Sequence, residues 1–239
     1  MYPIFHTYII GNFQTQCKQR FPSLLFCVTI QLLFRRLPAQ VGETADCRQG
    51  GSSMYQITDW CRHFVQMQVT PGDLCIDATM GNGHDTELLC RLAGEHGKVL
   101  AFDIQERALQ NTKKRLQKAG VPDNYRLILD SHSHMIQYAD ADSVSCILFN
   151  FGYLPGADHS TATQPETSLQ AIRQGLSLLK KDGLMSLCIY SGGDTGFEER
   201  DTLLSFLKAL DSRKYLVVLS SYYNRPNHPP IPVLVRKLL

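Results

Sequence analysis

From Thr70 onward, short apolar runs alternate with longer stretches in which apolar residues recur at helical spacing, a pattern that predicts βαβ units and a parallel sheet. Leu74 to Ala78 reads as a first strand, Asp85 to Ala93 as a first helix, and Lys98 to Phe102 as a second strand running into Asp103. Gln105 to Ala119 follows as a helix with Ala108, Leu109, Thr112 and Leu116 on one face and Gly120 as its stop. Tyr125 to Leu129, Val144 to Phe149 and Leu184 to Tyr190 supply three more strands. Helices are expected from Pro165 to Leu179 and from Glu198 to Leu210. Two strands remain, Tyr215 to Ser221 and Val233 to Arg236, and the segment between them is too short to hold a crossover helix, so they pair antiparallel. The expected fold class is therefore α/β, a mostly parallel seven-stranded sheet with an antiparallel C-terminal hairpin and helices on both faces.

The first fifty residues break the pattern. Phe21 to Phe34 is an apolar run flanked by Lys18, Arg20, Arg35 and Arg36, shorter than the roughly 20 residues a membrane span needs. No acidic residue precedes Glu43, which suits an organelle transit peptide, and a start of translation at Met54 would remove the segment altogether. The expectation is an N-terminal extension over 1–53 and a single domain over 54–239, a length that supports one substantial core. At 44% hydrophobic and 19% charged the chain is globular in composition. Its small positive excess lies ahead of Met54; the remainder is near neutral, so nucleic-acid binding would need a local basic patch. Eight cysteines with no Cys-x-x-Cys pair, three of them in strand-like runs, read as buried thiols in a reducing compartment. That favours a cytoplasmic location, or an organelle if the extension is a transit peptide. No metal site is legible.

The chemistry gathers at the ends of the predicted strands. Asp77-Ala78-Thr79-Met80-Gly81-Asn82-Gly83 joins strand to helix, and Gly81 and Gly83 let a ligand approach the backbone. Asp103 stands 20 residues beyond Gly83, where an acid accepts hydrogen bonds from both ribose hydroxyls, which indicates an adenosine-bearing cofactor. A pyrophosphate is disfavoured: Asp77 and Asp85 bracket the loop, and like charges near 4 Å cost about 4 kcal/mol at an effective dielectric of 20. Thr86 also takes the place of the third glycine of the dinucleotide fingerprint. S-adenosylmethionine, a cation without phosphate, suits the carboxylates. A strand end and a helix cap explain Asp77 and Asp85 without any ligand. Ser131 and His132, after the third strand, fall where an adenine would lie, and Asn150 to Gly156 fall where a methyl group would emerge.

Asn150-Phe151-Gly152-Tyr153-Leu154-Pro155-Gly156 resembles the Asn-Pro-Pro-Tyr loop of amine methyltransferases. More of the chain, most of Ile57 to Lys237, resembles the bacterial tRNA 5-aminomethyluridine-34 methyltransferases, a family also labelled rRNA methylases. The segments that carry the likeness are Asp77 to Thr86, Phe102 to Gln105, Asp130-Ser131-His132 and Asn150 to Gly156. The resemblance implies a Rossmann-like class I methyltransferase that converts the aminomethyl group of the tRNA wobble uridine to methylaminomethyl. It further implies cofactor contacts from Asn82, Asp85, Asp103, Gln105, Ser131 and His132, with Asn150 and Tyr153 bordering the target amine. One departure is Gly192-Gly193-Asp194-Thr195-Gly196, where the family pattern is a Gly-His-Pro-Gly-Gly type of loop, so no histidine role carries over there.

An alkylamine has a pKa of about 10.4 and is mostly protonated at neutral pH. Asp158 or His159, just past the reaction loop, is a candidate to take its proton. Arg225 and Asn227, with His228, Tyr222 and Tyr223 alongside, are candidates to hold RNA phosphate and a stacked base, the expected partner being the tRNA anticodon region. Trp60, Arg62 and His63 read as packing or solvent-facing residues. Rival readings are methylation of another RNA or of a small-molecule or protein amine, and a degenerate methyltransferase fold kept as an interaction module. The oligomeric state is open, a homodimer included.

Overall fold

A computed structural model describes residues 56–151, 164–191, 196–226 and 228–239. Its chain order is α1 (Ile57–Gln68), β1 (Leu74–Asp77), α2 (His84–Ala93), β2 (Lys98–Asp103), α3 (Glu106–Ala119), β3 (Tyr125–Leu129), a 3-10 helix (His132–Gln137) and β4 (Val144–Phe151). Then follow α4 (Pro165–Leu178), β5 (Leu179–Ile189), α5 (Gly196–Lys208), β6 (Tyr215–Leu219) and β7 (Ile231–Lys237). The seven strands form one sheet in the order β3-β2-β1-β4-β5-β7-β6. The first five are parallel; β7 pairs antiparallel with both β5 and β6. This is the expected α/β fold, with the hairpin where the short connection required it.

Period-two alternation divides the strand side chains between two faces. Cys75, Val99, Cys146 and Leu148 pack with Val65, Leu89, Ala93 and Leu116 of α1, α2 and α3. Their neighbours Ile76, Leu100, Ile147 and Phe149 pack with Ala171, Ile172, Leu203 and Leu207 of α4 and α5 on the other side. Helices therefore cover both faces, and the central strands are mostly apolar, as doubly covered parallel strands are. The five described cysteines are free and buried.

Because β1 lies between β2 and β4, the chain reverses its direction of travel across the sheet at the β1/β4 boundary. A crevice opens at the carboxyl ends of strands at such a point. Several elements differ from expectation, β7 among them, which starts at Ile231. β5 begins five residues earlier than Leu184, because its register against β4 shifts between Val144 and Cys146 and the polar Lys180 to Gly183 interrupts the apolar run. After β3 the chain winds into a 3-10 helix rather than a plain turn, with Ser131 as its cap accepting from the Ser133 N–H.

Among the described residues no helix is long and apolar enough to cross a membrane, and no group of three or more acidic, histidine or cysteine residues is placed to hold a metal ion. The extension over 1–53 lies outside the described residues.

Candidate active site

The loop after β1 is stitched to both neighbouring strands. The Ala78 N–H donates to the Leu148 carbonyl on β4 (2.9 Å), and the Met80 N–H donates to the Phe102 carbonyl on β2 (2.9 Å). Gly81 and Gly83 take positive φ, 49° and 77°. At Gly83 the requirement is double, since a Cβ there would stand 2.8 to 3.0 Å from Thr112 of α3. That close approach lets α3 grip the loop: Thr112 Oγ1 donates to the Gly81 carbonyl (3.0 Å), Arg115 Nε to the Asn82 carbonyl (2.7 Å), and Asn111 Nδ2 to Asn82 Oδ1 (3.0 Å). The amide oxygen of Asn82 is thus engaged by Asn111 within the protein.

Three carboxylates surround this loop, in different states. Asp77 is fully buried; Oδ2 accepts from the Thr86 hydroxyl (2.6 Å) and Oδ1 from the Thr79 N–H (3.2 Å). Burial, then the nearby Asp85, push its carboxyl up to about 7 against the opposing effect of those hydrogen bonds. Asp85 Oδ1 is ion-paired to Arg62 Nε of α1 at 2.8 Å. Asp77 supports the loop from beneath, and a guanidinium already neutralises Asp85. Asp103 holds the position expected of a ribose acceptor: half-buried at the end of β2, it accepts from the Gly81 N–H (3.1 Å) and the Gln105 N–H (3.0 Å). Burial raises its pKa, and the backbone donors, Ile104 among them, aim the carboxylate. Gln105 contributes this backbone donor, and Ile104 beside it is 59% exposed, an apolar surface at the rim.

The segment after β3 is built on Asp130, which accepts from the Ser131 N–H (2.7 Å) and Tyr138 hydroxyl (2.8 Å) and pairs with His134 Nδ1 (2.8 Å). The Ser131 hydroxyl is bonded to that of Ser133 (2.8 Å). His132 turns inward, its ring edge-on to Phe149 and Phe151 with centroids 6.1 and 6.2 Å away. Burial lowers its pKa to about 4, so the imidazole is neutral. Its Nε2 is buried with no hydrogen-bond partner among the described residues. An orphaned polar atom of that kind costs about 1–3 kcal/mol, which a ligand nitrogen or oxygen placed there would recover. Asp103, Ile104 and His132 together offer ribose-hydroxyl acceptors, an apolar rim and one unused polar atom, a set that fits an adenosine moiety.

Asn150, one residue before the end of β4, is tied directly to the glycine-rich loop, its N–H donating to Thr79 Oγ1 (2.8 Å). Its side-chain Nδ2 donates to Asp85 Oδ2 (2.8 Å). Arg62 thereby joins the site, in a chain that begins at Asp59 one turn earlier on α1 (3.3 Å) and runs through Arg62 and Asp85 to Asn150. By sequence alone Arg62 reads as a packing or surface residue. Its partner lies 23 positions away, and nothing in the local pattern links the two. The cleft between α1 and these strands, lined by Arg62, Asp85, Asn150, Cys61 and Cys188, has about 10 Å³ of space. That is room for no more than one water molecule.

Tyr153, Asp158, His159 and Asn227, together with the 192–195 segment, lie outside the described residues. Arg225 is exposed, its guanidinium 4.9 Å from the Tyr222 ring centroid. Beside it a pocket of about 170 Å³, lined by Ser191, Arg200, Tyr222 and His228, opens where β5 ends and β7 begins.

Comparison with known proteins identifies relatives of the fold. Residues 99–236 match the family described as "Putative rRNA methylase". The "tRNA (mnm(5)s(2)U34)-methyltransferase, chloroplastic" of Arabidopsis thaliana is 33% identical over 185 residues, covering 73% of this chain and 68% of that protein. The crystal structure of a "putative rRNA-methylase" from Clostridium thermocellum superposes with a TM-score of 0.75 at 42% identity, covering 78% of this chain and all of the other. A "putative methyltransferase" from Streptococcus mutans, solved in complex with SAH, gives 0.70 at 36% identity with the same coverage. With its fold, its loop and its relatives in agreement, the chain belongs to the rRNA methylase family of Rossmann-like methyltransferases.

Proposed function

We propose that this protein is an S-adenosylmethionine-dependent N-methyltransferase that converts 5-aminomethyluridine at the tRNA wobble position to 5-methylaminomethyluridine. The observation that carries the reading is the placement of Asn150. It stands at the carboxyl end of β4, bonded through Thr79 to the glycine-rich loop, with its amide N–H group turned to Asp85. An asparagine held that way has its carbonyl oxygen left to accept an N–H from a target amine. The likeness to the Arabidopsis tRNA methyltransferase supports the substrate, and the Streptococcus mutans complex with SAH supports the cofactor.

When bound, S-adenosylmethionine supplies an electrophilic methyl group on a cationic sulfur. Asp103 would accept from the ribose hydroxyls, Ile104 and His132 would flank the purine, and the backbone of Gly81 to Gly83 would give close access beside them. Asn150 Oδ1 would accept an N–H of the target amine and fix its orientation, and catalysis would come mainly from that alignment and from exclusion of water. The target arrives as an ammonium and must lose a proton first; Asp158 and His159 remain our candidates for that acceptor. Arg225, with Asn227, is assigned to the RNA backbone of the anticodon region. The catalytic domain is taken as residues 54–239, with 1–53 as an extension.

The test is incubation with isotope-labelled S-adenosylmethionine and tRNA carrying 5-aminomethyluridine, followed by nucleoside mass spectrometry. We expect label in 5-methylaminomethyluridine and none in tRNA with unmodified uridine at that position. The family's description favours ribosomal RNA as the second reading. Label in ribosomal RNA, with none in the tRNA, would replace the proposal by that one.

A further inference from the structure

An asparagine carboxamide is nearly symmetric in shape, and only its surroundings decide which end faces a substrate. With its NH2 group outward, Asn150 would oppose donor to donor against an incoming amine. We propose that Arg62 and Asp85 are positioning residues that lock the Asn150 carboxamide with its oxygen outward, a role that rests on the reading of Asn150 as the receiver of the target amine.

Asp85 Oδ2 takes the Asn150 Nδ2 hydrogen at 2.8 Å. A carboxylate paired to a guanidinium accepts but cannot donate, so it selects the NH2 end of the amide and rejects the oxygen. Arg62 Nε occupies the other oxygen, Oδ1, at 2.8 Å and holds the carboxylate plane in place. Asp59, one turn earlier on α1, steadies the guanidinium from its far side at 3.3 Å. Helix α1 is itself anchored by the buried Ile57, Cys61 and Val65, so the relay starts from a fixed element. Asp85 thereby changes role. Both of its oxygens are engaged within the protein, and it acts on the amide of Asn150 instead of contacting the cofactor.

The experiment compares R62Q, D85N, N150A and the double variant R62Q/N150A in single-turnover methyl transfer to tRNA carrying 5-aminomethyluridine. Thermal unfolding and SAH affinity by calorimetry are measured on each. Misdirecting the amide should slow transfer by roughly 10- to 100-fold in R62Q and D85N, with SAH affinity within about twofold of wild type on the scale of one lost neutral contact. R62Q should add nothing in the N150A background. A full additional loss there, or a loss of SAH affinity in place of rate, overturns the relay. A second readout does not depend on the substrate: the Asn150 side-chain amide in a ¹⁵N spectrum, assigned by its disappearance in N150A. It should shift in both R62Q and D85N, and an unmoved signal overturns the relay even if no variant methylates this tRNA. Failure of wild type to methylate, with the amide shifting as expected, would instead remove the tRNA reading and leave the relay standing.

Discussion

Burial has pushed the Asp77 carboxyl up to about 7, and the sign of that shift determines how the fold responds to pH. An acid whose folded pKa lies above its unfolded value of 3.8 contributes stability that is complete below about pH 4 and is lost as pH rises through 7. Across that window the loss is at most about 4 kcal/mol, at about 1.4 kcal/mol per unit. The carboxamide introduced by D77N cannot ionise, so the unfolding free energy of that variant relative to wild type should climb between pH 4 and pH 8. Denaturant melts at several pH values would measure it, and a flat difference would mean that Asp77 stays ionised throughout. His132 gives a complementary expectation. With its pKa lowered to about 4, it is uncharged throughout the neutral range, so its contribution to cofactor affinity should not vary between pH 6 and 8. Removing its unpaired Nε2 in H132A should weaken SAH binding roughly 10-fold by calorimetry. Asp103 was legible in the sequence because its spacing from the glycines is set by one βαβ unit. The inward turn of Asp77 and the partner of Asp85 were not, because burial and ion pairing depend on α1 and β4, which the local sequence does not place.

At the scale of elements, the loop and α3 form a single device. Gly83 satisfies both a left-handed φ and an approach to Thr112 too close for any Cβ. G83A should therefore cost about 1–3 kcal/mol from backbone strain alone, plus the clash. T112S in the same chain should recover only the part of the loss due to the methyl group, and SAH binding should fall with the loop's geometry. Equilibrium unfolding of the two variants separates strain from contact. The stop of α3 at Gly120, with φ 59° and its N–H returned to Leu116 and Gln117, was legible from the glycine alone. The start of β5 was not. Lys180-Lys181-Asp182-Gly183 falls between the expected helix and strand, yet it is a break in register inside the strand, with Asp182 at φ 63° and its carbonyl held by Gln68 of α1 (3.0 Å). The first residues of β7 were hidden in the same way, since Pro232 reads as part of the connection. The 3-10 helix after β3 carries no periodicity long enough to announce itself.

For the molecule as a whole, β/α alternation was enough to predict seven strands and the antiparallel hairpin, because connection length restricts topology more than any single residue does. The order in which those strands are made has its own consequence. β7, the last of the seven in the chain, lies inside the sheet between β5 and β6. During synthesis, β5 therefore waits with an unpaired apolar edge through the whole of α5 and β6, a state prone to edge-to-edge association. Val233 and Val235, both fully buried, would each be worth about 1.5–3 kcal/mol once in place. That sum is large against a typical net stability of about 5–15 kcal/mol. A chain stopped before Ile231 should accumulate as insoluble protein although every residue of the glycine-rich loop is present, and pulse-labelled fractionation would show it. The residues of the glycine-rich loop thus leave the ribosome well before the strand that closes the sheet, and the solubility of the nascent chain should depend on that strand.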